Sequence, residues 1–322
     1  MKKLIDLGVL PIRTRSSRGY RPHLSILFRY EMQHVFGIDT TPHEDSHTLL
    51  ITHAHSDHYG RSAMLSPKSI ASEKTAKALE IIYGRRFVGT TFKVEDCVDV
   101  DGVTIRTHPT GHTIGATAFS WENEVGTHIL ATGDVKDASH LPRCDVLITE
   151  ANYGDPYDPQ CRFADDLGAL KDAIKENVAF GAYSFGKAQR AVKLLRSLGY
   201  RDEIEMDHRS LELTRELMEH VEPLADLGEN GKMSIVPPWD LHRLPNHLDK
   251  FVLTGRDCSH QRIKISDHLD FNGLMKMVHD CNPEVTIIYH PPGDRPAKLA
   301  QYLNENGFTA IPIDAITNVM IH

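Results

Sequence analysis

Four groups able to ligate a metal fall within a single short run of this sequence: His53, His55, Asp57 and His58, in Thr52-His53-Ala54-His55-Ser56-Asp57-His58. Imidazole nitrogens and carboxylate oxygens suit zinc and similar first-row ions. His53 and His55 alternate onto one side of the chain, and Asp57 and His58 turn elsewhere, so one cluster can serve two metals. A solvated loop that happens to be rich in histidine is the plainer alternative. The chain carries 20 His in 322 residues, so single histidines mean little. Four donors at this spacing behind an apolar strand mean much more. Further candidates stand far off in the sequence: His112, Asp134, Glu150, His268 and His290. Two ions sharing a carboxylate and a water, ~3.5–4 Å apart, would hold that water as hydroxide near neutral pH. They would also clamp the attacking and leaving oxygens of a phosphodiester or another ester-like centre.

Such groups need strands that end where they begin. Thr48-Leu49-Leu50-Ile51 predicts a buried strand leading into the first cluster. Val103-Thr104-Ile105, His128-Ile129-Leu130 and Val146-Leu147-Ile148 predict three more, each followed within a few residues by His112, Asp134 or Glu150. Functional residues at successive strand ends are how an α/β fold gathers one site from distant sequence. Leu24 to Tyr30 and His34 to Ile38 also read as strands, the second ending at Asp39. Ser72 to Ile82 predicts a helix with Ser72 as its cap and Gly84 just past its end.

From about Asp155 the texture becomes helical. Phe163, Leu167, Leu170 and Ile174 form one stripe, and Ser184 caps a second helix whose Ala188, Val192, Leu195 and Leu198 face inward. A third helical segment runs near Leu211 to Val221. A loop rich in Gly and Pro follows (Gly228, Gly231, Pro237, Pro238, Pro245), then a strand at Phe251-Val252-Leu253. The C-terminal stretch alternates again, with strands at Ile263–Ile265, Val285–Tyr289 and Ala310–Ile313 and helices at Phe271–His279 and Ala297–Asn306. The middle reads as an insertion into a fold that resumes afterwards.

A length of 322 residues supports one to two domains, and 40% hydrophobic with 25% charged residues is a globular rather than a membrane or disordered composition. No signal peptide and no bilayer-spanning stretch is read, so no membrane partner and a cytoplasmic location are expected. The cysteines (Cys97, Cys144, Cys161, Cys258, Cys281) are scattered and odd in number, which fits reduced thiols. A formal net charge of −8 argues against indiscriminate polyanion binding, so a polyanionic substrate needs a local basic path. The segment Arg13 to Arg21 offers one through Arg15 and Arg18, or is a solvated basic turn. The helix start with Ser184, Gly186 and Lys187 offers backbone N–H groups, a hydroxyl and a cation to a phosphate.

His53-Ala54-His55-Ser56-Asp57-His58, Gly111-His112-Thr113-Ile114-Gly115 and Thr132-Gly133-Asp134 resemble the metal motifs of the metallo-β-lactamase fold, and Asp39 in Gly37-Ile38-Asp39 matches its early strand-end aspartate. Glu150-Ala151-Asn152-Tyr153-Gly154-Asp155, Ser184-Phe185-Gly186-Lys187-Ala188-Gln189, Ile265-Ser266-Asp267-His268-Leu269-Asp270 and Ile288-Tyr289-His290 resemble, in order, the motifs of its β-CASP nuclease subfamily. The resemblance implies an α/β protein, a four-layer αβ/βα sandwich carrying a small inserted cap. Residues 1–154 and 259–322 would form the sandwich and residues 155–258 the cap. It implies two zinc ions, with manganese as the alternative. His53, His55 and His112 would hold one ion, Asp57, His58 and His290 the other, and Asp134 would bridge. His268, oriented by Glu150, would protonate the leaving oxygen, and Asp57 counts with them among the catalytic residues.

The activity implied is hydrolysis of nucleic acid by metal-bound hydroxide. Single-stranded RNA is the first substrate, because RNA enzymes of this family keep the last histidine, here His290. A DNA exonuclease is the alternative, since Ser266-Asp267-His268 with Phe271 and Leu274 resembles a compact group of ligase-associated exonucleases. A metallo-hydrolase for a small ester or diester, and an inactive scaffold, are the other readings; the full ligand set argues against the scaffold. A homodimer is admitted as a partner. Two features depart from the family pattern: the stretch between Glu150 and His268 is short, and Pro-Pro-Gly-Asp follows His290 in place of Gly-Glu.

Overall fold

The structure, a computed structural model, describes residues 1–17, 19–58, 60–174, 177–228 and 233–321, the side chains of Ser16, Met320 and Ile321 aside. It is a mixed α/β protein whose chain divides into two compact units, residues 1–162 with 268–322, and residues 163–267. Both borders fall later in the chain than the composition change at 155 and the resumption at 259.

The first unit holds two seven-stranded sheets. In the first sheet the order is Val319–Ile321, Val9–Ser16, Gly19–Tyr30, Met32–Ile38, Thr48–Leu50, Ser69–Ser72 and Thr90–Phe92. In the second it is Ala310–Pro312, Val285–His290, Val146–Glu150, His128–Ala131, Thr117–Glu122, Val103–Pro109 and Cys97–Val100. Alternation decides which face of a strand goes inward: Val103, Ile105 and Thr107 are buried while Thr104 and Arg106 are exposed. Thr48–Leu50, Val146–Glu150 and Val285–His290 are buried at every position, as strands covered on both faces must be. One apolar core draws on both sheets, including Leu24, Ile26, Phe36 and Leu50 from the first and Ile105, Phe119, Ile148 and Ile287 from the second. Phe28 and Phe36 meet Trp121 of the opposite sheet with ring centroids 5.7 and 5.4 Å apart.

Strand direction is what gathers the site. Met32–Ile38 is parallel to Thr48–Leu50, and His128–Ala131, Val146–Glu150 and Val285–His290 are mutually parallel. Val103–Pro109 is antiparallel to Thr117–Glu122, which is antiparallel to His128–Ala131, so it too runs with that parallel set. The residues that follow these strands therefore emerge at the same ends of their sheets, where α/β proteins place ligands.

The helix after Ser69–Ser72 spans Glu73–Tyr83, with the Ser72 hydroxyl accepting from the Thr75 N–H and Gly84 closing it in the left-handed region. The second unit differs more from the sequence reading. Its centre is a six-stranded, fully parallel sheet ordered Leu224–Asp226, Ile204–Met206, Met233–Val236, Val178–Gly181, Asp249–Leu253 and Arg262–Ile263. The first four of these strands are three or four residues long and nearly wholly buried, too short to carry a period that a sequence can display. The first helical stripe shrinks to Leu167–Ala173, capped by Asp166, and leaves Phe163 outside it. Gly186 (φ 84°), not Ser184, caps the helix Lys187–Ser197. Its N–H donates to Gln189 Oε1 at 2.7 Å, a bond that leaves no place for a serine cap two residues earlier. Gly231 lies outside the described residues. Among the described residues no helix is long and apolar enough to cross a membrane.

Candidate metal centre

The strand Met32–Ile38 stops at Asp39, whose φ of 48° turns the chain so that its buried carboxylate faces the next strand end. That carboxylate accepts from the Thr52 N–H (2.8 Å) and the Thr52 hydroxyl (2.7 Å), pairs with His58 Nδ1 (2.7 Å) and accepts from the Tyr289 hydroxyl (3.2 Å). Asp39 thus fixes where the loop 53–58 starts and which nitrogen of His58 is left for other work. Thr52 Oγ1 also lies 3.0 Å from His53 Nδ1, which turns His53 Nε2 inward. His53 Nε2 and His112 Nε2 each stand 3.1 Å from His55 Nδ1. Three imidazole nitrogens at this spacing fit one ion, since Zn–N bonds of ~2.0–2.1 Å put tetrahedral ligand atoms ~3.4 Å apart.

Asp134 lies between the histidines. Its Oδ2 is 3.8 Å from His53 Nε2, 3.4 Å from His58 Nε2, 3.5 Å from His112 Nε2 and 3.7 Å from His268 Nδ1. Gly133 makes that placement feasible: at φ 62°, a Cβ there would sit 2.5 Å from Thr52 Oγ1. The electrostatics are those of a buried, mixed-charge cluster. Burial, the largest influence on Asp134, would raise its pKa, but the charges of His58 and His268 outweigh it and hold the carboxyl well below its ordinary range. Burial likewise opposes charge on His58, and Asp134 with Asp39 overcomes it, so His58 sits well above the usual imidazole value. His53 goes the other way: burial, then the neighbouring His58 and His112, push it well below.

A second feature stands beside the histidines. Glu150, fully buried at the end of Val146–Glu150, accepts from the Val135 N–H (2.8 Å) and the Asn152 N–H (2.9 Å), and its Oε1 faces His268 Nδ1 at 3.1 Å. The Leu269 N–H donates to the Val135 carbonyl at 2.7 Å, tying the loop that carries His268 to the one that follows Asp134. His268 keeps one edge exposed while its carboxylate partner is sealed, the arrangement of an imidazole that trades protons with a bound molecule.

Among the residues singled out in the sequence, the structure brings His53, His55, His58, His112, Asp134, Glu150, His268 and His290 together. Asp57 is at the rim, its side chain 62% exposed and its Oδ2 3.5 Å from His290 Nε2. The basic segment is a β-hairpin rather than a loop. Arg13 is buried, pairs with Asp314 at 3.2 Å and stacks over Tyr20, whereas Arg15 is exposed. Arg18 lies outside the described residues. Ser184, Gly186 and Lys187 belong to the second unit. There Lys187 is buried, 3.1 Å from Asp267 and donating to the Ile265 carbonyl at 3.2 Å, so its cation is already engaged inside the unit rather than offered to a phosphate. His23, which the sequence reading passed over, lies against His58 and His290. The only signal for it was its place directly before a predicted strand. Burial, then the charges of His58 and His290, lower its pKa well below the usual value. A cleft of about 590 Å³ elsewhere in this unit, lined by Arg106, His108, Glu122 and Arg143 among others, contains none of these site residues. Buried polar donors, not cavity size, mark the site.

No protein-family model matches the chain. It is 26% identical over 298 residues to a protein named as a probable DNA ligase from Opitutus terrae, a match covering 81% of this chain and 28% of that protein. The chain thus spans little more than a quarter of the length of that relative. Among solved structures it is similar to a protein of unknown function from Enterococcus faecalis V583, with a TM-score of 0.61, 14% identity, and coverage of 90% of this chain and 94% of the other. At that identity the likeness bears on the fold alone.

Proposed function

We propose that this chain is a metallo-β-lactamase-type hydrolase of the β-CASP kind, which cleaves phosphodiester bonds in nucleic acid with two zinc ions, or manganese in their place. The observation that carries this reading is the convergence on Asp134 Oδ2 of His53, His58 and His112 within 3.4–3.8 Å, all of them buried. The donor set fits such ions: it is rich in imidazole, contains a carboxylate placed to be shared, and includes His290 Nδ1, buried without a hydrogen-bond partner among the described residues. When bound, ions at such a site activate water and neutralise charge on a phosphoryl group.

The remaining work falls to the chain. Glu150 holds the Nδ1–H of His268, fixing the ring so that Nε2 donates a proton to the departing alkoxide. Arg15 pairs with Tyr20 across the hairpin, three residues from His23 on the same strand, which puts it about 10 Å along the strand from the histidines at ~3.3 Å per residue. Its exposed guanidinium is suited to a phosphate further along a bound strand. The relative named as a DNA ligase, together with the Ser266-Asp267-His268 resemblance, favours a DNA strand over the RNA strand that His290 alone favours.

Metal-loaded protein is given labelled single-stranded DNA and RNA of one sequence, and bis(p-nitrophenyl) phosphate alongside. Cleavage of a strand that stops with a chelator and returns with zinc or manganese supports the proposal, and the faster strand names the substrate. Turnover of the small diester with both strands intact would replace it with a small-molecule hydrolase.

A further inference from the structure

We propose that the first unit carries a second binding site, in the cleft of about 590 Å³ that contains none of the metal-centre residues, where Arg106 and Arg143 hold the phosphate of a nucleoside monophosphate. The inference does not draw on the nuclease reading.

The cleft follows from how this stretch of chain folds. From Val103 to Glu150 the chain forms four strands with no helix between them among the described residues, so their connections cover neither face of the sheet. Alternation sends Val103, Ile105 and Thr107 to the core and leaves Thr104 and Arg106 exposed. Register sets Arg106 opposite Ser120, and Glu122 opposite His128. The segment before Val146–Glu150 adds Pro142 and Arg143 to the same cleft, and Tyr30 of the first sheet also lines it.

The lining is rich in donors. Arg106 and Arg143 offer only N–H groups, and among the described residues neither guanidinium has an ion pair or a hydrogen bond. Trp121, 3% exposed, lines the cleft too, and its Nε1–H is buried with no hydrogen-bond partner among the described residues. The carboxylate of the lining, Glu122, already faces His128 at 3.5 Å. Two unpaired guanidiniums therefore make a positive spot on a chain of net charge −8. His108, whose Nε2 is 2.8 Å from the Ser120 hydroxyl, registers it: burial and then the charge of Arg106 lower its pKa, against the pull of Glu95.

The ligand class follows from this inventory. Guanidinium forks match phosphate oxygens, and a phosphate monoester brings close to the two negative charges that two arginines balance. A volume of about 590 Å³ falls in the ~300–1,000 Å³ range of small-molecule sites, far beyond what a phosphate group fills. The remaining space is walled by Tyr30 and Pro142, both half-buried, an aromatic ring and a flat apolar one suited to a planar base.

The test follows tryptophan emission of the whole, metal-loaded chain in a Trp239→Phe background, which leaves Trp121 beside the cleft as the single indole. The probes are adenosine monophosphate, ribose phosphate and inorganic phosphate. Adenosine monophosphate is expected to change Trp121 emission and to bind about tenfold or more tighter than the two probes without a base. Arg106→Ala and Arg143→Ala should each weaken it by about 10–100-fold, the worth of a charged hydrogen bond. Both variants should unfold at the background's temperature, since neither arginine holds a partner, and should cleave a diester at the background's rate. No change in Trp121 emission with the nucleotide, or equal affinity for inorganic phosphate, overturns the proposal. So does undiminished nucleotide affinity in both alanine variants, which would leave two solvated arginines. A chain that cleaves no strand sinks the nuclease reading and leaves this site standing.

Discussion

Removing the imidazole of His268 should cost turnover in proportion to how badly the leaving group needs a proton. Its Nδ1 is 3.1 Å from Glu150 Oε1, and Glu150 is itself fixed by the backbone N–H groups of Val135 and Asn152 at 2.8 and 2.9 Å. The donor is thus held by a buried, immobile partner. General acid catalysis of this kind is worth ~10²–10⁴-fold, or about 2.7–5.4 kcal/mol of barrier at 1.36 kcal/mol per tenfold. Two diesters of one nucleotide make the assay, one expelling an alkoxide and the other a nitrophenolate, which departs with little help. His268→Ala is expected to slow the first by about 10²–10⁴-fold and the second by under about tenfold, with metal content unchanged. His290→Ala should slow both alike and lose an ion. Glu150→Gln should fall between, and should also unfold more easily by about 1–3 kcal/mol, since an amide cannot accept from all three donors. Equal losses on both substrates for His268→Ala, or loss of metal from it, would refute the assignment of an acid separate from the ions.

Further expectations follow from the neighbouring contacts. Asp39→Ala leaves Thr52, His58 and Tyr289 without their shared acceptor. At about 1–3 kcal/mol per stranded buried group, chemical denaturation should show a loss of about 3 kcal/mol or more. Lys187→Ala removes the 3.1 Å cation beside the buried Asp267 carboxylate and leaves Arg190 Nε 3.7 Å away, so a loss near the low end of about 3–5 kcal/mol is expected in urea. If Lys187 served a phosphate instead, stability would hold and the salt dependence of oligonucleotide binding would flatten. Asp155 accepts from Lys298 at 2.7 Å; burial, the largest influence, would raise its pKa, but that bond together with the Tyr157 N–H, the Lys298 charge and the Asp158 backbone outweighs it and lowers the pKa overall. A carboxyl depressed on folding adds stability that is full above its unfolded value of about 3.9 and is lost as pH falls through the folded value. Asp155→Asn should therefore flatten the decline in unfolding midpoint below about pH 4, and an unchanged acid limb would contradict this.

What the sequence made legible was local. A strand ending in a ligand is a short-range pattern, so Thr48–Leu50, Val146–Glu150 and the residues after them could be read directly. Of the middle sheet only the strands near Phe251–Leu253 and Ile263 could be read; its other four, of three or four largely buried residues, carry no alternation and fall into a helical and loop reading. His23 was hidden for a different reason: it precedes its strand, and only antiparallel register against Met32–Ile38 brings that strand's start to the parallel strands' ends. Lys187 and Asp57 show the remaining gap. A lysine at a helix start reads as a free cation, yet its long stem lets the ammonium reach a buried aspartate. Asp57 shares its short run with buried His53 and His58 and yet is 62% exposed, a contrast that spacing alone does not display.

The account stands most directly on how many ions the site around Asp134 holds. Protein purified without chelator, and apo-protein titrated with zinc, should both reach close to two ions per chain. Asp134→Ala should lower the occupancy more than any other single change, because its carboxylate reaches His53, His58 and His112 together. A wild type that saturates at one ion or none, with its histidines intact, would contradict the account.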